Sequence, residues 1–284
     1  MINTNFKFFE IMKTTNRILF AIAIMLLCFN TSIAQEEQAP PQYYTVTTLH
    51  WDMDYDGDDD WMAIEKEYLE KVTMKNEYVM ASSYWGHRWT ADNSEFLSVI
   101  AYADWAAIDK ATKRNAELEK EAWPDKAERE AFLNKQAAFT TAHHADEIYA
   151  VLPGTKHNPE AVGENRILYY QTKHFAFPED GTDEEFDKLH SEYVTNIINK
   201  NETIVGYYPH AHAWGSDKRE FREAYVLNSM DDLEKMGIRN GELIAEYWKD
   251  KDDAMKAFFK AWNKYTTGFH GDAIYSEMPE LTKK

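Results

Sequence analysis

The sequence predicts an α+β fold built from two tandem copies of one βαββαβ unit, each roughly 110 residues long. Three observations predict it. A stretch of the first half recurs in the second at a nearly constant offset. Strand-like and helix-like hydrophobic periods follow one another in the same order in both halves. Hydrophobic residues make up 44% and aromatic residues 14% of the 284 residues, enough apolar surface for packed units and too much for a mainly disordered chain.

The repeat is direct. Glu67–Ser98 lies over Glu192–Glu223 without a gap, and the pairs Glu67/Glu192, Tyr68/Tyr193, Lys75/Lys200, Asn76/Asn201, Glu77/Glu202, His87/His212, Trp89/Trp214, Asp92/Asp217, Glu95/Glu220 and Phe96/Phe221 are identical. The same shift aligns RNAELEKEAW, which starts at Arg114, with RNGELIAEYW, which starts at Arg239. One further residue of shift aligns TTAHHADEIYAVLP from Thr140 with TTGFHGDAIYSEMP from Thr266. Three blocks in one order at nearly one spacing are a duplication, and two copies are too few for a solenoid, so the units are expected to pack on each other.

Within the first copy, Tyr43–His50 is rich in β-branched and aromatic residues and reads as a strand. Trp61, Ile64, Tyr68, Leu69 and Val72 make a helical stripe. Tyr78–Trp89 and Glu95–Tyr102 read as two strands around the polar turn Thr90–Ser94. A long helical region spans 104–142, with Trp105, Ile108, Leu118, Phe132 and Phe139 facing the core and Pro124 restarting it, because proline suits a helix's first turn. Asp146–Leu152 is the last strand. The second copy repeats this order, with Ser229 and Asp232 as an N-terminal cap of its long helix.

Breaker-rich stretches set the limits. Lys13 and Arg17 precede the apolar run Ile18–Phe29, and Ser32-Ile33-Ala34 puts small residues ahead of Gln35, so residues 1–34 read as a cleaved export signal and the mature protein as periplasmic or extracellular. Leu27 before Cys28 argues against a lipoprotein signal, which wants a small residue there. Gln35–Gln42 is a polar leader, Tyr43–Pro153 the first unit, Gly154–Asn165 a linker, Arg166–Pro279 the second unit and 280–284 a tail. Cleavage removes Lys7, Lys13, Arg17 and Glu10, a net charge of +2, so the mature charge is −18 − 2 = −20. It also removes Cys28, the only cysteine, and with it any disulfide or thiol chemistry. So acidic a surface disfavours nucleic acid and anionic membranes as partners.

The order βαββαβ is that of the ferredoxin-like unit. With its duplication, the chain resembles the dimeric α+β barrel superfamily, which includes antibiotic-biosynthesis monooxygenases and stress-responsive A/B barrels. The resemblance implies two ferredoxin-like units packed sheet to sheet as a pseudo-dimeric barrel with a small-molecule cavity. It also implies a cofactor-independent oxygenase or isomerase-like activity, or, as tandem folds of this kind include haem proteins such as the chlorite dismutases, a haem held by His144 or His270.

Six histidines fall in repeated pairs: His50/His174 at the end of the first strand, His144/His270 just before the last, and His87/His212 on the second. His87, His212, His144 and His270 are the candidate acid–base or metal-ligating residues, with Asp146 or Asp272 as partner. Each can equally be a polar cap on a strand end. His50, His174, Trp85, Trp89, Trp214 and Tyr208 are candidates to line a pocket for a flat ligand, with Tyr84 and Tyr207 beside them, or to be core. Asp52, Asp54, Asp56 and Asp60 match the first half of a calcium loop around Gly57, but Ala63 stands where the bidentate glutamate belongs. The rival to an enzyme is a non-catalytic binder of haem, metal or a hydrophobic ligand, or an interaction module.

Overall fold

The computed structural model describes residues 39–157 and 166–284. The expected export signal and most of the expected linker lie outside the described residues. Pro41–Lys284 form one compact unit. Its elements are β1 (Tyr43–Trp51), α1 (Trp61–Lys71), β2 (Ala81–Trp89), β3 (Glu95–Tyr102), α2 (Trp105–Ala122), α3 (Lys126–Ala137), β4 (Thr140–Val151) and the short β5 (Lys156–His157). Then come β6 (Ile167–Phe175), α4 (Asp183–Tyr193), β7 (Gly206–Trp214), β8 (Glu220–Leu227), α5 (Met230–Tyr247), α6 (Asp252–Lys264) and β9 (Thr266–Glu277). Among the described residues, no helix is long and apolar enough to cross a membrane.

The fold is mixed α+β with one large antiparallel sheet. Its long strands run in the order β4-β1-β3-β2-β9-β6-β8-β7, and β7 pairs back onto β4, so the strands form a closed circuit. The two halves therefore meet by strand pairing at both edges, around Trp85↔Glu277 on one side and Tyr149↔His212 on the other. Side chains alternate across a strand, so the circuit has an inner and an outer face. Val46, Trp85, Leu97 and Tyr149 from the first half share one buried cluster inside with Leu168, Tyr170, Val226 and Tyr275 from the second. The outer face carries the helices, with Trp61 and Ile64 of α1 on Phe96, and Phe186 of α4 on Phe221.

The identical residues of the repeat hold the same contacts twice. Asn76 donates to the Ala111 carbonyl (2.9 Å) and to Asn115 (2.7 Å), and Asn201 to the Met236 carbonyl (3.1 Å) and Asn240 (2.7 Å). Arg114 bonds Glu77, Glu117 and Glu121, and Arg239 bonds Glu202, Glu242 and Glu246. The equivalence reaches past Pro153 and Pro279. Lys156 donates to the Ile198 and Asn201 carbonyls, and Lys283 to those of Thr73 and Asn76. Each lysine closes the carbonyl end of the turn that leads into β7 or β2.

Three element boundaries differ from the sequence expectation. The helical region 104–142 is two helices, broken at Trp123–Asp125, with Asp125 rather than Pro124 at the start of the second. Its carboxylate accepts the Ala127 and Glu128 N–H groups. The second strand begins at Ala81, because Asn76 turns the chain first and takes the Tyr78 N–H on its side chain (3.0 Å). The last strand begins six residues early, at Thr140, so His144 lies inside it.

Asn76 and Asn201 are fully buried, so Asn76→Ala strips partners from the Ala111 carbonyl, Asn115 and the Tyr78 N–H, and Asn201→Ala from the Met236 carbonyl, Asn240 and Thr203. Each substitution is expected to cost about 1–3 kcal/mol in urea unfolding. Equal losses at the two sites are the signature of a duplicated structural role.

Candidate functional site

Five of the six repeated histidines find a carboxylate or hydroxyl nearby. His50 lies 3.3 Å from Asp92 and His174 3.6 Å from Asp217, both in the turn between the second and third strands of their half. His144 reaches Asp146 (3.1 Å) and His270 reaches Asp272 (3.5 Å). His87 bonds Thr90 (2.7 Å). An irregularity opposite the end of β1 brings His143, not His144, against His50, with ring centroids 4.8 Å apart, and Phe269 takes the same place against His174 at 4.1 Å. His212 pairs with Tyr149, five residues along β4 from His144, a separation of roughly 17 Å at 3.4 Å per residue. His50, His144 and His212 therefore do not come together. Among the described residues, no group of three or more His, Cys, Asp or Glu stands close enough to hold a metal ion.

The aspartate loop folds on itself. Asp52 accepts the Asp54 N–H (3.0 Å), Asp59 pairs with Lys135 (2.5 Å), and Asp60 caps α1 through the Ala63 N–H (3.4 Å). The aromatic candidates do not share a pocket. Trp85 is buried inside the strand circuit, its indole N–H on Ser83 (2.8 Å). Tyr208 packs at the margin of that cluster, where its hydroxyl meets His157 (2.8 Å). Trp89 and Trp214 are each 68% exposed.

Inside the circuit lies a polar cluster on the β4–β7 side. The Arg222 guanidinium donates to Glu147 and Glu220 (both 2.9 Å) and to Tyr170 (3.3 Å), and lies over the Tyr149 ring at 4.8 Å. His210 donates from Nδ1 to the Tyr208 carbonyl (2.9 Å), which leaves Nε2 to accept from Tyr170 (2.9 Å). Burial, and then Arg222, hold His210 neutral, its pKa lowered to about 3. The Tyr149 hydroxyl reaches Glu220 across the two halves (2.6 Å), and Tyr275 reaches Glu95 in the mirrored sense (2.8 Å).

Two open spaces lie on the outer face, one in each half, and their linings share the equivalent positions Leu49/Lys173, Gln136/Trp262 and Thr140/Thr266. The first, about 210 Å³, is lined by Leu49, Trp61, Glu65, Tyr84, Phe96, Gln136, Ala137 and Thr140. Glu65 is buried on the inner stripe of α1, four residues after Trp61. Gln136 of α3 donates to it (2.9 Å), and so does the Tyr84 hydroxyl (3.3 Å). Burial raises the Glu65 carboxyl above the usual carboxylate range, against the hydrogen bonds of Gln136, Tyr84 and Trp61 that oppose it. A buried carboxyl with a raised pKa in an aromatic cleft has the character of a proton-transfer site. Its signal in the sequence was a glutamate on an otherwise apolar helix stripe.

The second space, about 300 Å³, is lined by Gln171, Lys173, Trp262, Thr266, Gly268, Phe269 and His270. Lys173 forms a close ion pair with the buried Glu223, which also accepts from Tyr207 (2.5 Å) and Tyr225 (3.1 Å). His190 of α4 meets the Tyr207 hydroxyl at 3.1 Å, and burial lowers its pKa. Lys173 holds the Glu223 carboxylate below its ordinary range, although burial, the largest influence, pushes it up. His190 is walled in by Phe186, Phe221 and Trp262.

No model of a known protein family matches the sequence, and no curated protein matches it. Solved structures do share the fold. A putative monooxygenase from Fusobacterium nucleatum superposes with a TM-score of 0.53 at 14% identity, over 84% of this chain and 94% of that one. A mutant chlorite dismutase from Candidatus Nitrospira defluvii gives 0.50 at 11%, over 85% and 93%. At these identities the likeness is one of fold.

Lys173→Met leaves the Glu223 charge buried without its partner and is expected to cost about 3–5 kcal/mol. The depressed pKa of Glu223 fixes the sign of the pH dependence. The pair stabilises the fold above the carboxylate range of the unfolded chain, and that stability is lost as pH falls through the lower folded value. Denaturant melts at neutral and acid pH, with the variant's deficit shrinking in acid, check both parts.

Proposed function

We propose that this is an exported small-molecule enzyme on two tandem ferredoxin-like units joined as a pseudo-dimeric α+β barrel. Its reaction site is the cleft of the first half, with Glu65 as proton acceptor. The buried Glu65 carboxyl among Trp61, Tyr84 and Phe96 carries this reading. The duplication, the element order and the closed strand circuit support the architecture. The basic start, apolar run and small-residue step of residues 1–34 support export.

The chemistry that fits is cofactor-independent. An organic substrate lies against the aromatic walls, and Glu65 takes a proton from it. The substrate anion so formed takes the proton back from Glu65 at another atom, as in an isomerase, or gives electrons to dioxygen, which is reduced as the substrate is oxidised, as in an oxygenase. Gln136 and Tyr84 hold the carboxylate in place and stabilise its charge while the proton is absent. The printed name of the Fusobacterium neighbour, a putative monooxygenase, agrees with the second course.

Glu65→Gln keeps the shape and removes the base. Thermal-shift screening of small aromatic compounds identifies a ligand. With that ligand, the variant is expected to lose about 10²–10⁴-fold in substrate hydrogen–deuterium exchange with solvent. In the wild type the rate should fall as pH drops through the raised Glu65 pKa, so the acid limb lies above the ordinary carboxylate range. Exchange that survives Glu65→Gln would remove this glutamate from the reaction.

A further inference from the structure

The first cleft combines three aromatic rings with one buried carboxyl, and no lysine, arginine or histidine lines it. Every donor to Glu65 is neutral: the Gln136 amide, the Tyr84 hydroxyl and the Trp61 indole. A carboxylate out of water without a cationic partner is costly, and a bound cation removes that cost. The rings reinforce this. Trp61 meets Phe96 edge to face at 5.5 Å and Tyr84 at 5.7 Å, so differently oriented rings wall the space and ring faces attract cations. The net charge of −18 draws cations toward the molecule.

We propose that the ligand of this cleft is an organic cation: an ammonium group, free or alkylated, on a small apolar body. The ammonium sits against Glu65 and the body lies among Trp61, Tyr84 and Phe96. This rests on the reading of the first cleft as the ligand site. A cavity of 150 Å³ can hold benzene, so about 210 Å³ suits a body near one ring in size. The second half supplies a contrast within the same chain. Lys173 stands at the place of Leu49, and His190 at that of Glu65. There the charge at the wall is reversed, and a cation has no carboxylate free of a partner.

The test is calorimetric titration of the full chain with benzylammonium, benzyltrimethylammonium and the neutral benzyl alcohol. The cations are expected to bind about tenfold or more tighter than the alcohol. Glu65→Gln should abolish that preference, so that cations and alcohol bind alike. Leu49→Lys, which copies the second half, should do the same. Circular dichroism melts establish that both fold, and Glu65→Gln decides alone if Leu49→Lys does not. If the alcohol binds as tightly as the cations and Gln136→Trp blocks it, the cation proposal falls and the cleft reading stands. If no probe binds, or Gln136→Trp leaves binding intact, the cleft reading falls with it.

Discussion

A four-stranded sheet leaves two rows of backbone N–H and C=O groups unpaired, and each row must be satisfied or shielded. In this protein each half satisfies the other's rows. The β2 edge of the first half takes β9 of the second, and the β7 edge of the second takes β4 of the first. Where β4 ends, β5 continues along β7 through Lys156↔Tyr207, so that edge stays covered to its start. Neither half can then hold its own interior, because each seam is built from both. The hydroxyl-to-carboxylate bonds Tyr149–Glu220 and Tyr275–Glu95 cross the seams in opposite senses and follow directly from this closure. Both halves fill the inside with side chains, and the two spaces described lie on the outer face, under the helices.

The two seams started alike and now differ in polarity. Leu97, Trp85 and Ala273 line the inside at the β2–β9 seam, and Arg222, His210 and Glu147 hold the equivalent places at the β4–β7 seam, where the Tyr170 hydroxyl reaches across to them and its equivalent Val46 has no polar group. Volume is exchanged in both directions, since Trp85 is larger than His210 and Val46 smaller than Tyr170, which lets one frame accept both fillings. A buried arginine is tolerable only when its charge and its N–H groups are met. Glu147, Glu220 and Tyr170 meet most of them, and the Arg222 Nε alone is left without a partner.

Repetition in the sequence marked the residues that hold the frame. Asn76/Asn201, Arg114/Arg239 and Asp92/Asp217 recur because each copy needs the same turn closed and the same helix tied down, and geometry of that kind leaves identical residues behind. The repeated histidines belong with them, as partners of turn and strand-end carboxylates. Element order, strand limits such as Glu95–Tyr102 and the helix faces were readable from hydrophobic period. The residues with chemistry in them were not, because they are the ones that changed after the duplication. Glu65 faces His190 across the repeat, and Arg222 faces Leu97. A search for shared residues passes over such pairs. Glu65 was still visible in principle, as a charge on the stripe of Trp61, Ile64 and Tyr68.

One exchange decides which half opens the buried group of its first helix to a cleft: Glu65 lines the first space, and His190 does not line the second. At the position of Gln136 the second half carries Trp262, whose ring packs against Phe186, His190, Tyr193 and Phe258. The indole covers His190, where the smaller amide leaves Glu65 facing the cleft. In the first half the amide also performs a second task, since it donates to the carboxyl that burial would otherwise disfavour. A single position thus sets both the room and the polarity of the cleft. A tryptophan there would close the space and remove the amide donor to Glu65 together. An open cleft and a hydrogen-bonded buried carboxylate are therefore coupled properties of the first half.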